Sequence, residues 1–150
     1  FFYKKIQLKD DFETRINLLF IHLSIILIIF RARNKSEFPQ NIFDNIFLNI
    51  EYHIRELGYG DVTVNKKMKV LTRIFYDILL KIKKSDEQNL ILSKSILTSY
   101  FKPDCTNSIE LIDNLSRYFN DFYYFCFELK NDSVLKGQIN FNYLKPNGST

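Results

Sequence analysis

INLLFIHLSIILIIF, residues 16–30, is the stretch that decides the fold of this 150-residue chain. It is apolar on nearly every side of a helix, and only Asn17, His22 and Ser24 interrupt it. A helix that is apolar all round lies in the middle of a protein or in a membrane. The run has 15 residues, which is shorter than the roughly 20 that a membrane span needs. We therefore expect a buried central helix, with an interfacial or membrane-inserted segment as the alternative.

Charged residues on both sides of this run place the ends of its helix near Asp11 and Arg33. Asp10, Asp11 and Glu13 suit the positive end of the helix dipole. Arg31 and Arg33 suit the negative end. The opening FFYKKIQLKDDFETR lacks the apolar region and cleavage site of a secretory signal. The chain does not begin with Met, so a trimmed leader stays open.

Further helices are predicted where apolar residues recur at helical spacing. The second opens at Pro39 and ends at Gly58, a residue suited to the left-handed conformation that closes helices. The third begins near Thr63, with Asp61 or Thr63 as its cap. Residue pairs typical of a capping box then open two more helices. These pairs are Ser85 with Gln88 and Asn107 with Glu110.

The composition favours one compact domain over residues 1–150. An apolar share of 46% supplies a core, and a chain of this size needs no disulfide or metal to fold. The segment 134–144 alternates weakly and predicts a short extended tail. We therefore predict an all-α fold, a single bundle of about five helices with an extended C-terminal tail.

Motifs for catalysis or cofactor binding are not found. The sequence has no phosphate loop, nucleotide fingerprint or nucleophile elbow, and no carboxylates paired for acid–base chemistry. Cys105 and Cys126 do not form a zinc framework. His22 suggests a hydrogen-bonded core histidine, with a haem or metal ligand as the alternative. We expect no enzyme activity, no cofactor and no metal.

The net charge of +4 is concentrated in one part of the chain. Residues 61–100 hold eight basic and four acidic residues. At 100° per residue, Lys66, Lys69 and Arg73 fall on one helical face, and Lys67 lies beside it. This face is either a solvated helix surface or a docking strip for a phosphate backbone, an anionic lipid or an acidic protein. No aromatic residue interrupts it, so base stacking is not indicated.

The segment IFDNIFLNIEYHIRELGYGDVTVNKKMKVLTRIFYDIL, residues 42–79, carries a recognisable order of motifs. The histidine helix around His22 precedes this segment, and within it an F-D-x-x-F segment, an R-E-x-G-x-G-D corner, a K-K-M-K run and an F-Y pair follow one another. In this order the chain resembles the ubiquinol–cytochrome c chaperone family. Asn49, Asn65 and Asp77 depart from its pattern. The matching residues are His22, Leu23, Leu27, Phe43, Asp44, Phe47, Arg55, Glu56, Gly58, Gly60, Asp61, Lys66, Lys67, Met68, Lys69, Phe75 and Tyr76.

The resemblance implies a non-enzymatic chaperone or assembly factor for cytochrome b of respiratory complex III. The implied partners are cytochrome b or its nascent chain, a small helical protein, the ribosome and the surface of the inner membrane, with no small-molecule substrate. The implied location is the cytoplasmic face of a bacterial inner membrane, or the mitochondrial matrix and inner membrane. The alternative is a ribosome- or nucleic-acid-binding module using the strip 66–73. The predicted partner-binding residues are Arg55, Glu56, Gly58, Gly60, Asp61, Lys66, Lys67, Lys69 and Arg73.

Overall fold

A computed structural model describes residues 1–34, 39–86, 89–101 and 108–129. Within these ranges the chain forms five α-helices and one small β-hairpin, so the predicted all-α fold is confirmed. The predicted tail at 134–144 lies outside the described residues, as does the predicted cap Asn107. The elements are α1 (Phe12–Asn34), α2 (Gln40–Glu56), α3 (Asp61–Lys81), β1 (Lys83–Asp86), β2 (Asn89–Ile91), α4 (Lys94–Tyr100) and α5 (Ser108–Glu128).

Helix α1 lies in the centre of the fold, as its sequence predicts. The ring of Phe20 lies 5.7 Å from that of Phe47 in α2 and 5.4 Å from that of Phe75 in α3. His22 packs instead against three aromatic rings of α5. Two residues correspond to about 200° around a helix, so these contacts use opposite sides of α1. The all-round apolar sequence is explained by helices on both sides.

The segment Phe12–Arg33 is long and apolar enough to cross a membrane by length and composition. In the described part of the chain it is the one helix that meets this criterion. The core helix of a soluble protein meets the same criterion. In this chain, 56% of the most apolar window of Phe12–Arg33 is buried inside the fold. Its buried residues include Phe20, Ile21 and Ile25, which are fully covered by protein.

Helix α3 begins at Asp61, two residues earlier than the predicted start near Thr63. The predicted cap, Asp61 or Thr63, is wrong, because Gly60 occupies the cap position and no side chain bonds to the helix end. The carbonyl of Gly60 accepts the amides of Thr63 and Val64 at 2.9 and 3.0 Å. The first turn of α3 therefore closes on the backbone, and the Asp61 carboxylate is left to bind elsewhere.

The fourth helix does not begin at Ser85, and this prediction is wrong. Residues Lys83–Asp86 pair antiparallel with Asn89–Ile91, and helix α4 begins only at Lys94, after Ser93. The amide and carbonyl groups that a helix would use are taken by the hairpin ladder. Gln88, the other half of the expected capping box, lies outside the described residues.

A polar contact joins α3 to α4. The hydroxyl of Tyr100 donates to the Asp77 carboxylate, which also lies 2.7 Å from the Lys81 ammonium. Both contacts lower the pKa of Asp77, and the contact with Lys81 has the larger effect. The amide of Asn17 in α1 donates to the carbonyl of Tyr100 at 3.0 Å. Asp77 thus has a structural partner at a position where the chain departs from the family pattern.

Candidate docking surface

The turn between α2 and α3 is fixed by one glycine and one arginine. Gly58 has φ +86°, a conformation that side chains with a Cβ rarely adopt. Its amide donates to the carbonyl of Arg55 at 2.9 Å. The Arg55 guanidinium lies 2.8 Å from the Glu51 carboxylate and also binds Asp61 across the turn. Arg55 and Asp61 therefore hold the two helices together rather than standing free.

Gly60 has a different role from Gly58. Its φ of −73° is open to any residue, and a Cβ placed there would meet no atom within 4 Å. The turn therefore does not require a positive φ at Gly60. The remaining corner residue, Glu56, is exposed and lies 3.6 Å from the ring of His53.

The four predicted cations of α3 differ in exposure to solvent. Lys66, Lys69 and Arg73 are exposed on the outer side of the helix, as the 100° spacing indicates. Lys67 is half-buried, and its ammonium lies 4.5 Å from the centre of the Tyr59 ring. None of the three exposed cations forms an ion pair with a residue of the described ranges. The structure thus separates an internally paired corner from an outward-facing basic strip.

Sequence reasoning missed that four apolar residues of α3 are exposed, namely Val62, Val70, Tyr76 and Leu80. Val62, Tyr76 and Leu80 continue the line of the basic residues at both ends. No aromatic residue stands within 66–73, as expected, but Tyr59 and Tyr76 are exposed on either side of it. An apolar residue in a helix is usually assigned to the core. For the three that continue the line, the position opposite the buried residues Val64, Phe75 and Ile78 is the signal that could have found them.

His22 is a core histidine with both ring nitrogens engaged. Nδ1 lies 2.6 Å from the carbonyl oxygen of Leu18, and Nε2 lies 2.9 Å from the hydroxyl oxygen of Tyr118. Burial lowers the pKa of His22, and the Leu18 contact opposes this more weakly. Since a carbonyl can only accept, Nδ1 carries the proton and Nε2 accepts from Tyr118. Both nitrogens therefore have hydrogen-bond partners inside the protein.

The other reactive side chains give no reaction centre in the described ranges. Cys126 is a buried free thiol, and burial raises its pKa to about 12. A thiol with so high a pKa is a poor nucleophile. No three His, Cys, Asp or Glu side chains of the described residues come together as metal ligands. Cys105, the other cysteine, lies outside those residues.

These features define an all-α protein whose distinctive charges lie on an outer helix face. The family model named Ubiquinol-cytochrome C chaperone matches residues 4–141, which is most of the chain, and the chain belongs to that family. No curated protein and no solved structure matched it.

Membership implies a chaperone role in the assembly of ubiquinol–cytochrome c reductase. Proteins of this family are generally non-enzymatic, and the assembly of this complex takes place in the context of a respiratory membrane.

Proposed function

We propose that this chain is a non-enzymatic assembly chaperone for cytochrome b, and that it works by docking a partner protein at the membrane. The partner binds the corner between α2 and α3 and the outer side of α3. The client is cytochrome b or its nascent chain, and contact with the ribosome and the inner-membrane surface brings the two together. The proposed location is the cytoplasmic face of a bacterial inner membrane or the inner face of a mitochondrial one.

The observation that carries this proposal is the division of charges around the corner. Arg55 pairs with Glu51 in its own helix and with Asp61 across the turn, so these charges are satisfied within the corner. Lys66, Lys69 and Arg73 face outward without an acidic partner among the described residues. Charges arranged on a rigid element direct association with an oppositely charged partner. The paired residues therefore position the surface, and the three cations make the contact.

The test is to delete the gene and restore it with a charge-reversed protein. We expect deletion to remove complex III and its cytochrome b haem spectrum, with other respiratory complexes intact. The triple variant K66E/K69E/R73E should fold but fail to restore complex III. The matched control K4E/K5E/R117E reverses three exposed cations elsewhere and should restore it. Normal complex III in the deletion strain would overturn the proposal.

A second candidate function is binding of ribosomal or other RNA by the same strip. The exposed rings of Tyr59 and Tyr76 favour it, because single-stranded bases stack on exposed aromatic side chains. RNA binding should then weaken steeply with salt, with a slope set by the phosphates contacted. A slope near zero, or equal RNA binding by the triple variant, would count against this candidate.

A further inference from the structure

The outer side of α3 carries a second stripe with the spacing of a helix–helix seam. Val62, Lys66, Lys69, Arg73, Tyr76 and Leu80 follow one another at steps of four, three, four, three and four, and all six are exposed. This alternation is the one that keeps a seam of residues facing a neighbouring helix. The inner stripe, built on Val64, Phe75 and Ile78, is already covered by the protein core. Helix α3 therefore offers a complete packing face to a helix from outside.

The outer stripe combines apolar ends with a basic middle. Val62 is 70% exposed at one end, and Tyr76 and Leu80 are 50% and 80% exposed at the other. Lys66, Lys69 and Arg73 occupy the centre. The stripe spans 18 residue steps of a helix, or about 27 Å. A partner of equal length would bury the apolar ends and place its own charges opposite the three cations.

We infer that the outer stripe of α3 receives one amphipathic helix of another protein, with acidic residues at its centre and apolar residues at its ends. This inference rests on the proposed function and names the chemistry of its docking partner. The carboxylates would lie opposite Lys66, Lys69 and Arg73. The apolar ends would pack on Val62 and on the pair Tyr76 and Leu80. Charge sets the partner's direction of approach, and the apolar ends supply the buried contact.

A lipid bilayer fits this stripe less well than a helix does. Helices that lie in a membrane interface keep their basic residues at the borders of an apolar face. Here the three cations stand on the midline, between Val62 and Leu80. Inserting the apolar ends would carry the charges into the acyl region, which is costly.

Neither the C-terminal residues 130–150 nor helix α5 supplies a matching acidic helix. Residues 130–150 contain three lysines and one aspartate, so they bring positive charge rather than negative. The outer side of α5 is acidic at Asp121 and Glu128 but also carries Arg117. Because α3 and α5 lie on opposite sides of α1, pairing α3 with α5 of a second copy would be a head-to-tail contact, which builds a ring or an open chain rather than a two-fold dimer. A different protein is the better occupant.

The experiment is a charge swap with two designed 21-residue helical peptides, matched to the length of α3. Both carry leucine at the ends of one face, and the centre of that face carries glutamates in one peptide and lysines in the other. Affinity is measured by fluorescence anisotropy for the wild-type protein and for K66E/K69E/R73E. The wild type should bind the acidic peptide at least about tenfold more tightly than the basic one, and the variant should invert this preference.

Apolar variants test the other half of the inference. Y76A and L80A should each weaken binding of the acidic peptide by about threefold or more without changing the helical circular dichroism. The exposed Tyr124 of α5 is the matched control, and Y124A should leave the affinity unchanged. Weak binding of both peptides, or an unchanged preference after charge reversal, would overturn the inference.

Two other occupants of the stripe, a lipid membrane and a second copy of this chain, are tested by separate measurements. Co-sedimentation with phosphatidylglycerol vesicles that is tighter than peptide binding, and lost in the triple variant, would assign the stripe to a membrane and overturn the inference. Self-association in sedimentation velocity that is abolished by the triple variant would assign it to a second copy. We expect neither.

The peptide experiment tests the docking stripe and the gene deletion tests the assembly role, so their results can be told apart. If deletion removes complex III but the triple variant restores it fully, the inference is overturned and the assembly role stands. If deletion leaves complex III intact while the peptide preference inverts as expected, the docking stripe stands and the proposed function falls.

Discussion

At the scale of single residues, His22 is the polar group of the central helix on which the most depends. Its ring lies in the middle of α1 among aromatic rings of α5, with Phe2 of the N-terminal segment 5.9 Å away. In the neutral ring, Nδ1 donates to the Leu18 carbonyl and Nε2 accepts from the Tyr118 hydroxyl. A proton added at Nε2 would place a positive charge in an aromatic site that disfavours it, and would require the Tyr118 hydroxyl to turn and accept instead of donating.

Folding stability should therefore fall on mild acidification. The folded pKa of His22 lies below its ordinary value of 6.5, so the unfolded chain binds the proton more readily. The contribution of His22 is complete above about pH 6.5 and is lost as the pH falls through and below that value. Urea unfolding at about pH 8 and about pH 5 measures this change.

Controls separate His22 from the other titrating groups. H22Q should lose this part of the pH dependence, and H53Q, which alters an exposed histidine, should keep it. The pKa values of Asp11 and Asp77 are lowered from 3.8, so these groups change the stability mainly below that pH. They do not interfere with a comparison between about pH 8 and about pH 5. An H22Q protein with the pH dependence of the wild type would contradict the prediction.

The two glycines of the corner should respond differently to alanine. Gly58 has a positive φ, where a Cβ costs about 1–2 kcal/mol, so G58A should lower the free energy of unfolding by that amount. Gly60 has an ordinary φ and open space, so G60A should change stability by less than about 1 kcal/mol. Chemical denaturation measures both variants, and equal losses would show that the turn is built differently.

At the scale of elements, the long helices could be predicted with their ends, whereas the short helix α4 could be predicted without its start. The expected ends of α1, Asp11 and Arg33, lie within one residue of the observed Phe12–Asn34. About five to six turns of apolar spacing give a strong signal in these helices, and in α1 the charges at both ends reinforce it. Gly58 ended α2 as expected, because a left-handed residue is needed there.

The errors arose where a local signal competed with a longer-range one. Ser85 and Gln88 match a capping box, but pairing between β1 and β2 takes the backbone around Ser85. Asp61 matches a cap, but Arg55 of the preceding helix attracts its carboxylate. Neither competitor can be identified from a window of a few residues.

The candidate surface was likewise predicted in part. The shared face of Lys66, Lys69 and Arg73 follows from helical geometry alone. The apolar residues that complete the stripe were not assigned, although Val62 and Leu80 lie opposite the buried residues Val64, Phe75 and Ile78, whose helical spacing the sequence already shows.

Neighbouring aromatic residues in α3 should separate folding from docking. Phe75 is fully buried, so F75A should lower the free energy of unfolding by about 3–5 kcal/mol. Tyr76 is half exposed, and Y76A should lower it far less while reducing recovery of complex III. Urea unfolding and the complementation assay measure the two effects. Comparable destabilisation by both variants would show that Tyr76 belongs to the core.

At the scale of the whole molecule, the position of α1 decides how the chain relates to a membrane. Its sequence alone would allow insertion, and a core helix and a spanning helix share the same composition. In the structure, α2 and α3 cover the side of Phe20, and α5 covers the side of His22. Inserting α1 would require breaking both of these interfaces. The membrane contact of the proposed function would then come from the surface of the bundle.

Residues 1–150 should therefore behave as a peripheral protein in membrane fractions. We expect an alkaline carbonate wash to release the chain, because charge contacts at a surface are lost while the folded core never enters the bilayer. An integral subunit of complex III in the same membranes is the internal control and should stay in the pellet. The triple variant K66E/K69E/R73E should be less membrane-bound before the wash, since its docking partner no longer holds it there. A chain that resists carbonate and leaves only with detergent would mean that α1 exchanges its protein neighbours for lipid, and that the packing of α1 between α3 and α5 is not the state in which the protein works.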